Sequence, residues 1–246
     1  MKHFQLSPGN GFKDIPLEKR IIFALDLNSL QEARQWVINL GSRIRFFKVG
    51  LELFLVGGFA IVDWIIDQGN EVMLDLKFFD VPRTVYSAVK QTAGKNVSLI
   101  TVHGNDSILE AAVDAGGPDR IISVTALTSL DQADISSLGF ACSPEELVLS
   151  RAKRALQIGC KGVVSSGLEV RAIRDMLGNK LCIVTPGVRP ISNTEPDDQK
   201  RTVDPGQAFR DGCDHIVVGR PIRNSPNPLE TVIQMQRAIQ EVFQES

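Results

Sequence analysis

Three observations predict an α/β chain folded as a single-domain (β/α)8 TIM barrel. These are eight short β-branched apolar runs, intervening segments with mostly helical spacing, and polar residues gathered at the C-terminal ends of the runs. The runs are IIFALD (21–26), RFFKVG (45–50), VMLDLK (72–77), LITVHG (99–104), IISVTA (121–126), GVVSSG (162–167), LCIVTPG (181–187) and HIVVGR (215–220). Apolar character without strict alternation is that of parallel strands buried on both faces. Between the first two runs, Leu30, Ala33, Val37 and Leu40 recur every three or four residues while Glu32, Arg34 and Gln35 face away, the pattern of an amphipathic helix. The count and size of these units match a closed barrel of about 250 residues. A doubly wound open sheet competes, but no G-x-G-x-x-G follows the first run. Residues 1–19, with Pro8, Gly9, Gly11 and Pro16, read as an irregular lead-in, and 20–246 as the barrel domain.

Composition narrows the function classes. The 246 residues carry a net charge of −2, with 43% hydrophobic and 23% charged residues, an ordinary globular balance that excludes collagen, coiled coil and disorder. No Lys/Arg block provides a footprint for nucleic acid. The charge-free stretch from Leu53 to Val62 is far short of a membrane span, and the N-terminal segment has no apolar core of a signal peptide. Cys142, Cys160, Cys182 and Cys213 stand singly without a C-x-x-C pair, which points to reduced thiols and a cytoplasmic setting.

Taken in chain order, the runs end in Asp26, Lys48, Asp75 with Lys77, His103, Thr125 and nearby Thr128, Ser165, Arg189 and Arg220. That end of a barrel is where active sites lie. Two connections are long: 126–142 after the fifth run, and the polar, proline-punctuated 186–203 after the seventh, which is the better lid candidate.

The segment MLDLKFFDVPRT (73–84) is the most informative. A side-chain period of two turns Asp75 and Lys77 the same way, into the barrel. The plain alternative is a structural ion pair, with Asp80 capping the helix that Pro82 opens. Asp26 and Lys48 lie on adjacent strands, however, and an alternating array of buried acids and bases is a poor device for stability alone. In VVGRPI (217–222), Gly219 permits close backbone approach and Arg220 supplies a planar fork suited to phosphate. Arg189 and Gln199 lie in the loop after the seventh run, another usual phosphate position. The alternative there is a loop glycine with a solvated arginine. His103 reads as an acid–base group or, more simply, as hydrogen-bonded scaffolding, and His3 and His215 have no partner in sequence. A metal site has little support, because Lys48 and Lys77 would repel a cation.

From Arg20 onward the chain resembles the orotidine 5′-phosphate decarboxylase family. The resemblance rests on D-x-K-x-x-D-x-P-x-T (Asp75, Lys77, Asp80, Pro82, Thr84), on Asp26 and Lys48, and on VTALTS (124–129), TPGVRP (185–190), DDQKR (197–201) and VVGRPI. It implies a homodimeric barrel that converts orotidine 5′-monophosphate to UMP and CO2 in pyrimidine biosynthesis, without metal or organic cofactor. By the same resemblance, Lys77 is the proton donor to the pyrimidine C6. Asp75 flanks it, as does Asp80 contributed by the other subunit, and Thr84 reaches across to the neighbouring ribose. Asp26 and Lys48 contact ribose hydroxyls, with Lys48 completing the catalytic array, and Thr128 meets the pyrimidine edge. Arg189, Gln199, Gly219 and Arg220 grip the phosphate. The rivals are a magnesium-dependent sugar-phosphate decarboxylase or aldolase of the same superfamily, which carries glutamate where Lys48 stands, and a non-catalytic phosphate-ligand-binding barrel.

Overall fold

Eight parallel strands close on themselves in sequence order in the computed structural model, which describes residues 14–189 and 203–244. The strands are β1 (Ile21–Ala24), β2 (Phe46–Gly50), β3 (Glu71–Phe78), β4 (Leu99–His103), β5 (Ile121–Val124), β6 (Gly162–Val164), β7 (Cys182–Thr185) and β8 (His215–Val218). Each coincides with one of the eight apolar runs, and β1 pairs with both β2 and β8, so the sheet has no edge. The helices are α1 (Leu17–Arg20), α2 (Leu30–Leu40), α3 (Leu51–Asp67), α4 (Pro82–Lys90), α5 (Asp106–Gly116), α6 (Gln132–Ser137), α7 (Pro144–Ile158), α8 (Val170–Leu177), α9 (Pro205–Arg210), α10 (Arg220–Arg223) and α11 (Pro228–Gln244). The fold is thus a single-domain (β/α)8 barrel.

Two apolar layers hold it. A small cluster including Ile22, Phe46, Met73, Leu99, Ile122, Val184 and Val217 fills the barrel interior. A larger one packs the outer strand faces against the helices, whose buried stripe in α2 is Ala33, Val37 and Leu40. Local signals set the boundaries. Ser29 caps α2, and Ser143 with Glu146 forms a reciprocal capping box for α7, which ends at Gly159 in the left-handed conformation. The connection 126–142 is not wholly irregular, because Asp131 and Asp134 form a second capping box that starts α6. No described helix is long and apolar enough to cross a membrane.

The N-terminal face is closed by charge as well as packing. Asp214 and Arg174 are buried and bonded at 2.6 Å. Arg174 donates further to the carbonyls of Gly212, Gly178 and Leu181, and the Ile183 amide donates to Asp214. Arg20, buried at the end of α1, reaches the Asp214 carbonyl and lies against the rings of Phe209 and Phe243. His215, partnerless in sequence, sits with Nδ1 2.8 Å from the Lys19 carbonyl and its ring edge-on to Phe46.

Candidate active site

A cavity of about 440 Å³ opens at the C-terminal ends of the strands. Asp26, Lys48, Asp75, Lys77, Thr128, Arg189, Gly219 and Arg220 all line it. Asp80 and Thr84 are exposed and do not line the cavity of their own chain, and Gln199 lies outside the described residues. Leu127, Ser129 and Pro221, quoted within motifs but given no role of their own, also line it, as does Arg223, which sequence reasoning missed. Arg223 follows Arg220 by three residues, a spacing that places both on one side of a helical turn and was a usable signal. Its guanidinium donates to the Asp26 carbonyl, tying α10 to the end of β1.

The charged side chains form a chain of alternating sign. Lys48 Nζ lies 2.7 Å from Asp26 Oδ1 and 3.3 Å from Asp75 Oδ2, and Lys77 Nζ donates to both Asp75 oxygens at 2.9 Å. Thr101 Oγ1 donates to Asp75 Oδ1 at 2.9 Å. Gly50 makes room for this arrangement: a Cβ there would stand 2.9 Å from Asp26 Oδ1 and 3.1 Å from Lys48 Nζ. Burial acts to raise the Asp75 carboxyl, but Lys48 and then Lys77 outweigh it and hold Asp75 below the ordinary carboxylate range. Burial likewise opposes the charge on Lys48, yet Asp75 and Asp26 together keep that ammonium above its usual value. Both groups are therefore charged near neutrality, and Lys77 is more open than either, its side chain 36% exposed against 8% for Asp75 and 10% for Lys48.

Simple alternation along β3 does not account for the position of Lys77. The β3–β4 register passes from Leu74↔Ile100 to Phe78↔Val102, four residue steps on one strand against two on the other. Lys77 has φ +48°, the sole non-glycine with positive φ among the described residues. A bulge of this kind re-aims a side chain, and strained backbone of this kind clusters at functional sites. Asp80 is not the helix cap either. Val81 occupies that position with Pro82 beginning α4, while Asp80 Oδ1 accepts from the Val81 amide at 2.6 Å.

On the opposite rim, Gly219 packs against Ala24, where a Cβ would come within 3.2 Å of the alanine methyl. The helix it opens is one turn with Pro221 in its first positions, so the guanidiniums of Arg220, Arg223 and Arg189 dominate over any helix dipole. The His103 ring packs tilted against Phe79, centroids 4.7 Å apart, and its Nδ1 has no hydrogen-bond partner among the described residues. Burial first, then Arg151 and Lys77, lower its affinity for a proton.

A closed barrel with an acid–base array and an arginine rim at its catalytic mouth defines a (β/α)8-barrel enzyme with a site suited to a small anionic substrate. Residues 19–235 match the Orotidine 5'-phosphate decarboxylase / HUMPS family, and the chain belongs to it. It is 53% identical over 232 residues to the orotidine 5'-phosphate decarboxylase of Methylococcus capsulatus, covering 94% of this chain and 96% of that one. The counterpart from Nitrobacter winogradskyi is 46% identical over 222 residues, 89% and 92% of the two chains. The crystal structure of orotidine 5'-phosphate decarboxylase from Lactobacillus acidophilus has a TM-score of 0.76 at 31% identity, covering 89% of this chain and 98% of that one.

Proposed function

We propose that this chain decarboxylates orotidine 5′-monophosphate to UMP and CO2 in pyrimidine biosynthesis, in the cytoplasm and without metal or organic cofactor. The observation that carries the reading is the Asp26–Lys48–Asp75–Lys77 array, with the Lys77 ammonium facing the cavity. Loss of CO2 from C6 leaves an electron pair in the plane of the ring, where it cannot delocalise into the π system. A fixed cation beside that carbon is then the available stabiliser. A unit charge pair about 4 Å apart is worth about 4 kcal/mol at an effective dielectric of 20. Lys77 also supplies the proton that replaces the carboxylate. Asp75 holds Lys77 by both oxygens and lies close to the departing group. The phosphate, remote from C6, binds at Arg189, Gly219, Arg220 and Gln199, and its binding energy drives closure over the reacting centre. Thr128 meets the base, while Asp26 and Lys48 meet the ribose.

Against the rival reading of a magnesium-dependent sugar-phosphate enzyme, Lys48 favours the decarboxylase. Its ammonium sits between Asp26 and Asp75, at 2.7 and 3.3 Å, and takes up the negative charge that a divalent cation would need.

The active form in this reading is a homodimer with shared sites. Phe79 and Val81, on either side of Asp80, are 61% and 62% exposed, apolar surface suited to a second copy of the chain. Asp80 and Thr84 then complete the site of the partner. One ultraviolet absorbance assay with orotidine 5′-monophosphate, run with and without EDTA, tests the reaction, its independence of metal and the shared site. The wild type turns over in both conditions, Lys77→Ala and Asp80→Ala homodimers are each at least about a hundredfold slower, and mixed dimers of the two variants regain one intact site. Wild-type inactivity, or loss of activity in EDTA, contradicts the decarboxylase reading. Verified mixed dimers that recover nothing contradict the shared site.

A further inference from the structure

We propose that the Thr101 hydroxyl is a positioning group that sets both the backbone bulge at Lys77 and the rotamer of Asp75, and so determines where the Lys77 ammonium points. The inference rests on the decarboxylase reading and deepens it. Thr101 is the β4 residue opposite the irregular part of β3, where Asp75, Leu76 and Lys77 lie between the register pairs Leu74↔Ile100 and Phe78↔Val102. Its side chain is fully buried. The Lys77 amide donates to Thr101 Oγ1 at 2.9 Å, and Oγ1 is 2.9 Å from Asp75 Oδ1.

These two bonds fix the direction of the hydroxyl proton. An amide can only donate, so Oγ1 receives there, and its one proton goes to the carboxylate. A single atom therefore satisfies the amide that the bulge removes from the strand ladder and orients the acid that grips Lys77. At φ +48° the lysine backbone is held in a costly conformation, which persists only where surrounding contacts over-determine it. Thr101 supplies one such contact from a neighbouring strand. Asp75 Oδ1 takes Thr101 and Lys77, and Oδ2 takes Lys77 and Lys48, so the carboxylate is pinned on both oxygens.

The competing view is that Thr101 is a β-branched filler of the interior layer above Leu99. Valine fills that space equally well and lacks the hydroxyl, which separates the two. Thr101→Val, Thr101→Ser and Thr101→Ala chains are compared with wild type for kcat, KM and Tm, with orotidine 5′-monophosphate as substrate. The expected result is a fall of about ten- to a hundredfold in kcat for Thr101→Val and Thr101→Ala, with KM within about threefold and the serine chain within about threefold of wild type. Should the valine chain not fold, the serine and alanine chains, which differ by the hydroxyl alone, carry the comparison. Valine and alanine chains with wild-type kcat, a serine chain as slow as alanine, or a loss confined to KM each overturn the role of the hydroxyl while the decarboxylase reading stands. A wild type with no turnover overturns that reading and this inference with it.

Discussion

The barrel buries charge at both ends, and the two networks are built differently. At the N-terminal face the Arg174–Asp214 pair is 2.6 Å long, both side chains are about 5% exposed, and the guanidinium is further satisfied by the carbonyls of Gly212, Gly178 and Leu181. At the C-terminal mouth the charges alternate along an open wall, Asp26 is half exposed, and Lys77 stands on strained backbone with its ammonium toward a cavity. The lower network ties Arg174 of α8 to Gly178, Leu181 and Asp214, at the segments that enter β7 and β8, so its worth is stability. The upper one leaves charge facing space that a substrate can fill, which is why the proposed function assigns it the chemistry. The division agrees with the general separation of roles between the two faces of such barrels.

Substitutions at either end sharpen the contrast. The largest effect on activity is at the mouth, where Lys77→Ala stops turnover yet shifts Tm by only about 3 °C or less, because Asp75 keeps Lys48 at 3.3 Å. The largest effect on stability is at the floor. Asp214→Ala leaves the Arg174 guanidinium buried without its carboxylate, which costs about 3–5 kcal/mol and lowers Tm by about 10 °C or more in thermal unfolding. Below that transition, kcat of the folded fraction is unchanged. A floor variant that lost activity while fully folded would break the division.

A smaller effect reads the floor by pH. Burial pushes the His215 imidazole down to about 4, so the ring is neutral in the folded barrel above that pH. In the unfolded chain it takes up a proton near pH 6.5. Between those values the unfolded state binds more protons, so stability falls as pH falls from about 6.5 to about 4, by about 3 kcal/mol in all, and levels off below. His215→Gln, whose amide can still donate to the Lys19 carbonyl, removes this contribution and flattens that part of the denaturant-midpoint profile. An unaltered slope would place the acid sensitivity elsewhere.

How much of this was legible in the sequence differs between elements for physical reasons. The eight strands were readable because residues buried on both faces leave continuous apolar runs, and Asp26, Lys48, Asp75 and Lys77 stand out as charges where such runs end. The position of Lys77 was not readable from period two, because a bulge with φ +48° intervenes and nothing in VMLDLKF marks it. Thr101 looks like any β-branched strand residue until β4 is laid against β3. The Arg174–Asp214 pair joins residues 40 apart, a contact that exists only once α8 packs beside the paired strands β7 and β8. Asp80 and Thr84 stood out in the motif, yet a single chain leaves them outside its own cavity, and it is the proposed dimer that would give them a role in the site of a second copy.

The central claim is that the Lys77 ammonium stands beside the carbon that loses CO2. A crystal structure of the chain with a UMP-like inhibitor measures that relation directly. The account predicts Lys77 Nζ within about 3.5 Å of the ring atom corresponding to C6, with the phosphate at Arg189 and Arg220. A ring bound with C6 turned away from Lys77, or a Lys77 ammonium directed into bulk solvent, would contradict it.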